Sequence, residues 1–217
     1  MQRKIEFEKD LVELYQQKDF NSHIYSKELN AIKRELNKVW YKLIFGPKDG
    51  YIPNLNAVVE SFLNKRFKVK FICSNTHFRV KYHKIKNKFH LDNNNAQSPK
   101  EIPDFITLFK KDIGMQFPFK LKPGYNTHNM INFWAVLNTV SYFPLGFGPI
   151  GILDDQGHEI ATIHDSTTKY EILYTPAMSI GDFYIFNSFK KPHGGIFPTK
   201  KINDRNSLEL RCVYYPR

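Results

Sequence analysis

The sequence predicts a mainly β protein preceded by helices, of the α+β class. In the first third of the chain, apolar residues recur at three- and four-residue steps, which is the period of an amphipathic helix. From residue 66 they alternate with polar residues, which is the period of a half-buried strand. The 19 phenylalanines and 12 tyrosines also favour strands. Many short strands after a helical start predict a barrel or jelly roll braced by helices.

Two helices are predicted before residue 66. The segment SKELNAIKRELNKVWYKLIF has Ser26 as its N-cap and is stopped by Gly46 and Pro47. A shorter helix, NLNAVVESFLNK, follows Pro53. The apolar stripe of the first helix is typical of core packing, so we assign it no chemistry. Its residues are Leu29, Ile32, Leu36, Val39, Trp40 and Leu43.

Strands are predicted along the rest of the chain, separated by turns rich in glycine, proline and aspartate. The segments are RFKVKF from residue 66, HFRVKYHKI from 77, MINFWAVL (130–137), GPIGIL (148–153), KYEILY (169–174), DFYIFN (182–187) and SLELRCVYY (207–215). The chain contains no internal repeat and no low-complexity linker. We therefore expect one domain over residues 1–217, with a helical bracing region over 1–65 and a β core over 66–217.

The cysteine content and the net charge indicate which cell compartment and which classes of partner to expect. The two cysteines, Cys73 and Cys212, form no CxxC pair, so we expect free thiols and no zinc site. The first 17 residues carry no apolar signal core and no apolar run approaches the length of a membrane span, so a reduced, cytoplasmic protein is expected. The net charge of +11 favours an anionic partner: nucleic acid, an anionic membrane or an acidic small molecule. The lysines are scattered, so they are equally typical of a solvated surface.

Histidines supply the first candidate for chemistry. His90 and Asp92 lie two residues apart in FHLD, so on a strand both side chains point to one face. His193 follows the predicted strand DFYIFN and precedes two glycines, which let a ligand approach the backbone. Two imidazoles and one carboxylate form the facial triad of non-haem Fe(II) oxygenases. A chance HxD pair is common, and a hydrogen-bonded histidine in a turn is the ordinary alternative for His193.

The last predicted strand, RNSLELR, separates charge from apolar groups. Leu208 and Leu210 share one face and should pack on the helices. The opposite face carries Arg205, Ser207, Glu209 and Arg211, and it would bring charge toward the interior, which is costly without a partner or an anion. Glu209 is expected to pair with Arg211, which leaves a guanidinium and a hydroxyl for a bound carboxylate.

In order along the chain, HxD, INFWAVLNTV, PLGF, GDFYIFNS with PHGG, and RNSLELR resemble the Fe(II)/2-oxoglutarate-dependent oxygenases. Within that superfamily they are most similar to the cephalosporin methoxylase small-subunit and aspergillic-acid hydroxylase group, with the pattern HxD, NxW and RxSxExR. The similarity covers about residues 90–215 and does not cover the first 89 residues. It implies a double-stranded β-helix, the jelly roll of cupin-like proteins.

The resemblance also implies residue roles. His90, Asp92 and His193 would ligate Fe(II), and Arg205 with Ser207 would bind the C5 carboxylate of 2-oxoglutarate. Asn132 and Trp134 would face the site and belong, with Arg205 and Ser207, to the cofactor-binding residues. With O2 as cosubstrate, such an enzyme hydroxylates or desaturates an unactivated C–H bond of a small molecule, here expected to be anionic. A carboxylate at Asp92, instead of Ala or Gly, disfavours the halide-binding variant of the site.

Two departures from the family pattern leave alternatives open. AVLNTV stands where the family tends to place Arg-Pro, and the interval from Asp92 to Ile131 is long, so His128 is a rival to His90 as first ligand. A nucleic-acid dealkylase of the same superfamily would share HxD…H and the spacing of Arg205 and Arg211. A non-catalytic jelly-roll binding protein and a zinc hydrolase are further alternatives. The zinc hydrolase leaves Arg205 and Ser207 without a role.

Overall fold

The structure is a computed structural model that describes residues 11–45, 49–50, 52–81, 126–138, 145–148, 173–174, 177–188, 191–194 and 205–215. Its helices are α1 (Ser26–Phe45) and α2 (Pro53–Phe67), with a short 3-10 turn at Gln17–Asp19. Its strands are β1 (Val12–Tyr15), β2 (Asp49–Gly50), β3 (Lys70–Cys73), β4 (Thr76–Lys81), β5 (Asn126–Val136), β6 (Gly146–Phe147), β7 (Leu173–Tyr174), β8 (Phe183–Asn187), β9 (His193–Gly194) and β10 (Arg205–Tyr215).

The strands form two antiparallel sheets. The larger one has the order β1-β8-β5-β10-β4-β2, and β3 pairs with the far end of β10 beside β4. The smaller one has the order β7-β6-β9. Strand β10 lies in the middle of the large sheet, with β5 on one side and β4 and β3 on the other. These pairings confirm the predicted mainly antiparallel β architecture after a helical start.

The large sheet buries both of its faces. Its outer face joins the buried side chains of α1 and α2 in one apolar core, which includes Leu208, Leu210, Phe133, Phe183 and Ile185 from the sheet. Its inner face forms a second, smaller core with side chains from β6 and from the segment before β8: Trp134, Val136, Leu145, Phe147, Met178, Tyr184 and Phe186. Alternation along each strand therefore sorts its residues between a helix-covered face and an inner face.

The helices match their predicted roles. On α1 the apolar stripe is buried at Leu29, Ile32, Leu36 and Val39, and α1 ends directly before Gly46. The ion pair from Lys65 to Glu28, 2.8 Å between Nζ and Oε1, joins the surfaces of α2 and α1. An exposed pair of this kind contributes only a few tenths of a kcal/mol, so burial of the stripe holds the helices in place.

The boundary between α2 and the sheet differs from the prediction. Alternation in RFKVKF predicted a strand from residue 66, but α2 continues to Phe67 and β3 begins at Lys70. Lys68 lies between them with a left-handed backbone, φ 57°, which ends the helix. Phe62 and Leu63 in the last turns of α2 are fully buried, so tertiary packing extends the helix beyond the local pattern.

The first third of the chain also contributes strands that the sequence did not predict. Strand β1 pairs with β8 at the edge of the large sheet, Val12 opposite Phe186. The carboxylate of Asp182, just before β8, accepts hydrogen bonds from the backbone N–H groups of Gln17, at 2.8 Å, and Ser179, at 2.9 Å. Because Asp182 is buried, these bonds satisfy a carboxylate that would otherwise be costly there. They fix the end of β1 to the start of β8.

The expectation of two free thiols is wrong. Cys73 on β3 and Cys212 on β10 lie directly opposite each other and form a disulfide, with an S–S distance of 2.01 Å. Both are fully buried on the helix-covered face. No local pattern indicated this disulfide, because the two residues are 139 positions apart and only the β3–β10 register brings them together. No helix in the described part of the chain is long and apolar enough to cross a membrane.

Removal of this disulfide should lower stability. Closing a chain segment of 139 residues restricts the unfolded state, and loops of this size stabilise folded proteins by about 2–5 kcal/mol. We expect the paired variant Cys73→Ala, Cys212→Ala to lose about that free energy of unfolding in urea. The wild type should lose a similar amount in excess dithiothreitol, whereas the variant should not respond to dithiothreitol. Equal stability of the wild type with and without reductant would contradict the disulfide.

Burial of Glu60 should give stability a pH dependence. Burial raises the pKa of this carboxyl, although it accepts a hydrogen bond from the Cys73 N–H at 2.9 Å and lies near Lys70. A raised folded-state pKa favours the fold at low pH and destabilises it as pH rises through that pKa. The Glu60→Gln variant keeps the acceptor and cannot ionise. We therefore expect its free energy of unfolding to fall less than that of the wild type between about pH 4 and pH 7. The control is Glu35→Gln on the surface of α1. If this variant reduced the pH dependence of the free energy of unfolding by the same amount, the effect would come from net charge and not from burial of Glu60.

Candidate active site

His193 lies in strand β9 of the small sheet, opposite Phe147 of β6. Its side chain is buried, and its Nδ1 lies 3.0 Å from the backbone oxygen of Lys191. A carbonyl oxygen can only accept, so Nδ1 carries the proton and Nε2 carries the lone pair. The Lys191 N–H in turn donates to the backbone oxygen of Asn187 at 2.8 Å, at the end of β8. This backbone turn therefore sets both the tautomer and the direction of the imidazole.

Aromatic side chains connect His193 to the large sheet. The ring of Phe186, on β8, meets the imidazole edge to face at 4.8 Å between centroids. Phe147 packs on Phe186 at 5.1 Å and on Tyr184 at 5.4 Å. All three aromatic side chains are buried, and together they hold β9 against the inner face of the large sheet. The surroundings of the imidazole exclude water on this side.

A buried polar network lies on the same inner face of the large sheet, on β5 and β10, which follow β8 in the strand order. Glu209 on β10 accepts two hydrogen bonds at Oε1, from Arg211 Nε at 2.6 Å and from Asn132 Nδ2 at 2.9 Å. Asn132 is 1% exposed, Arg211 4% and Glu209 7%, so the network is sequestered from solvent. Burying a single charge is costly, and here the carboxylate and the guanidinium pair with each other.

The faces of β10 follow the predicted alternation. Ser207 is fully buried and lies opposite Val136, and Trp134 lies opposite Glu209. Leu208 and Leu210 are in the core beneath the helices. The prediction that Glu209 pairs with Arg211 is confirmed. The structure therefore brings Ser207, Asn132 and Trp134 onto the inner face that His193 approaches.

Other predicted site residues are placed only in part or not at all. His90 and Asp92 lie outside the described residues. Arg205 is the first residue of β10, with its backbone opposite Lys81 of β4, and His128 is on β5; the side chains of both fall outside the described part. Within the described ranges no cluster of three or more His, Cys, Asp or Glu residues could hold a metal ion. His193 is thus the predicted ligand whose surroundings the structure describes, and the backbone contact at Nδ1 is the kind of support that orients metal-ligating histidines.

The link from Asn132 to Glu209 is a feature that the sequence analysis missed. Asn132 was expected to face the site, but its hydrogen bond depends on the register that sets it opposite Arg211 and diagonal to Glu209. The only sequence signal was the polar residue itself, inside an apolar strand at INFW, where a buried amide requires a partner.

A cavity of about 550 Å³ lies elsewhere, between β1 and the start of α1. Tyr15, His23 and Arg66 are among its lining residues, and none of the predicted site residues is. Burial and the neighbouring Glu13 carboxylate raise the pKa of the Tyr15 phenol well above its ordinary value. Arg66 also binds Glu13, at 2.6 Å between Nη2 and Oε1. These groups satisfy one another, so we assign the cavity no chemistry.

Comparison with known proteins identifies the fold. No family model matches the sequence, and no curated protein matches it. Among solved structures, iron and alpha-ketoglutarate-dependent endoperoxidase NvfI has a TM-score of 0.51 at 12% identity, over 94% of this chain and 76% of that one. The non-heme alpha ketoglutarate dependent epimerase SnoN from nogalamycin biosynthesis has a TM-score of 0.50 at 10% identity, over 96% and 82%. The chain shares the fold of these two proteins.

Proposed function

We propose that this protein is an Fe(II)- and 2-oxoglutarate-dependent oxygenase that hydroxylates or desaturates a small, anionic metabolite. The observation that carries the proposal is His193: a buried imidazole whose Nδ1 is oriented by a backbone carbonyl, beside a sheet face that carries buried polar groups. Fold likeness to two proteins described as alpha-ketoglutarate-dependent supports it. The two sheets would be the halves of a double-stranded β-helix within one domain.

Each residue has a proposed role. His193, with His90 and Asp92, would hold iron, and His128 is the rival for the first position. Iron in such a site supplies O2 activation coupled to oxidative decarboxylation of 2-oxoglutarate.

Arg205 and Ser207 would bind the C5 carboxylate, since a guanidinium fork and a hydroxyl match a carboxylate. Asn132 and Trp134 would line the cavity. The motif order RxSxExR supports kinship with cephalosporin methoxylase small-subunit and aspergillic-acid hydroxylase proteins.

The described residues also support a site that is shielded from water and that binds the cosubstrate carboxylate at one cation of β10. Phe147, Phe186 and Trp134 would keep bulk water from the reacting carbon. The Glu209 carboxylate neutralises Arg211, so this pair adds no net charge to the inner face. A cosubstrate carboxylate would then bind at the other cation of β10, Arg205, and not at Arg211.

A nucleic-acid dealkylase is the second candidate, favoured by the net charge of +11 and by two arginines six residues apart on one strand. Binding to phosphates would weaken steeply as salt rises. The pairing of Arg211 with Glu209 removes one of the two cations from such a role. Efficient formaldehyde release from a methylated oligonucleotide would place this candidate first.

Loss of His193 should abolish metal binding. Wild-type protein with Fe(II) and 2-oxoglutarate under argon should show the weak visible charge-transfer band of the chelate. His193→Ala should lose that band and at least tenfold in Fe(II) affinity, because one of three protein ligands is gone. The matched control is His23→Ala, a histidine that packs between Tyr15 and Tyr25 away from the inner face.

Asp92→Ala should behave like His193→Ala. If iron binds the Asp92→Ala protein as it binds the wild type, the assignment of the triad is wrong. His128→Ala, compared with His90→Ala, then decides which histidine is the first ligand. Circular dichroism of each variant separates loss of a ligand from loss of the fold.

Arg205 and Arg211 should differ in their effect on the cosubstrate. Arg205→Lys keeps the charge but loses one of two parallel hydrogen bonds, worth roughly 1.5–3 kcal/mol, so 2-oxoglutarate affinity should fall about tenfold to a hundredfold. Arg211→Lys should leave that affinity within about threefold, because Arg211 serves Glu209. The measurement is uncoupled succinate formation against 2-oxoglutarate concentration. If Arg211→Lys has the larger effect, the anchor is Arg211; if neither variant has an effect, the cosubstrate assignment fails.

A further inference from the structure

The hydrogen bonds of Glu209 fix the orientation of the Asn132 amide. Glu209 Oε1 lies 2.6 Å from Arg211 Nε in an ion pair, and the oxygen of a carboxylate paired in this way accepts hydrogen bonds. The side-chain group of Asn132 that points to it, at 2.9 Å, must therefore be the NH2. The opposite orientation would place two acceptors against each other. The side-chain oxygen Oδ1 is thus directed away from Glu209.

That oxygen is buried and unsatisfied. Asn132 Oδ1 is inaccessible to solvent and has no hydrogen-bond partner among the residues that the structure describes. A buried carbonyl without a donor costs of order 1–3 kcal/mol, so such groups in native proteins normally meet a ligand or an ordered water. The donor that Asn132 Oδ1 lacks must come from outside the described chain.

The position of this oxygen relates it to the candidate metal ligand. Asn132 lies directly opposite Phe186 across the β5–β8 pair, and the Phe186 ring touches the His193 imidazole. Side chains opposite each other on one sheet face are about 5 Å apart at Cβ, so the amide neighbours Phe186, whose ring in turn touches the imidazole. The Asn132 amide and the candidate metal ligand therefore flank the same aromatic ring on the inner face.

The chemistry of the oxygen excludes the cosubstrate as its partner. Both carboxylates of 2-oxoglutarate, and its keto oxygen, are acceptors, and none can donate to a carbonyl oxygen. A hydroxyl or an N–H group can. Of the two organic molecules that the proposed site would hold, only the one that is oxidised can therefore supply a donor to Asn132 Oδ1.

We propose that Asn132 is a specificity-determining residue: its Oδ1 accepts a hydrogen bond from a hydroxyl or N–H group of the substrate, in an orientation that Glu209 imposes. The substrate class is then a small alcohol or amide whose donor lies near the reacting carbon. This inference rests on the proposed function. Glu209 acts through Asn132 and is a positioning residue.

Binding of matched probes tests the acceptor. The probes are a graded series of alkanols and cycloalkanols, each compared with its methyl ether, which lacks the hydroxyl donor. They are titrated into the protein and followed by ligand-observed NMR. The protein carries 2-oxoglutarate, and Zn(II) replaces iron. Wild type should bind at least one alcohol about fivefold or more tighter than its ether, as expected for one hydrogen bond. The isosteric variant Asn132→Leu should reduce that ratio to within about twofold while 2-oxoglutarate affinity stays within about twofold.

An exchange of donor and acceptor tests Glu209. Glu209→Gln alone lets the Asn132 amide turn either way, so the alcohol-to-ether ratio should fall. The double variant Asn132→Asp, Glu209→Gln reverses the hydrogen bond but keeps an oxygen directed away from residue 209, so the ratio should return. Asn56→Leu is the control: it removes a buried amide from α2, beneath the opposite face of the sheet, and should leave the ratio unchanged.

A separate readout needs no metal. In 15N-labelled apo protein, the Asn132 side-chain amide, assigned by its loss in Asn132→Leu, should have one slowly exchanging proton that Glu209→Gln makes fast. Probes that bind wild type without preference, or not at all, overturn the proposal, as does a tenfold loss of 2-oxoglutarate affinity in Asn132→Leu. Failure of wild type to bind iron and 2-oxoglutarate would instead overturn the proposed function, and the apo amide signal distinguishes the two.

Discussion

The pairing of β5 with β10 is the constraint on which the rest of this structure depends. Both strands are central in the large sheet, and each has one apolar face and one mixed face. Their register sets Asn132 opposite Arg211 and Trp134 opposite Glu209, which gives a buried carboxylate its two donors. A slip by one residue would bury the charges beneath the helices and turn the leucines to the inner face. The hydrophobic core and the polar network therefore select the same register.

Local patterns predicted much of this architecture. Period-two alternation on β10 correctly assigned Leu208 and Leu210 to the helix-covered face and Ser207 and Arg211 to the opposite face. Three- and four-residue spacing located α1, because amphipathic helices carry their packing surface in the sequence. The pairing of Glu209 with Arg211 was also predictable, since residues two apart on a strand share a face. Each of these features depends on residues that are near one another in the chain.

What the sequence did not predict depends on contacts between distant segments. Strand β1 has four residues, too few for alternation to stand out, and β8 recruits it to the sheet edge. The disulfide between Cys73 and Cys212 and the bond from Asn132 to Glu209 are decided by strand register, which no local pattern encodes. The roles of His90, Asp92 and Arg205 stay predictions, because their side chains lie outside the described part of the chain.

The hydrogen bond from His193 to the backbone oxygen of Lys191 has a consequence for how the imidazole responds to its surroundings. Histidines that ligate metals are often oriented by a carboxylate, whose protonation in acid weakens the contact. A peptide carbonyl takes up no proton in the range where proteins stay folded, and this one belongs to a turn closed by the Lys191 N–H on Asn187. The ring is therefore steered by a group that does not titrate.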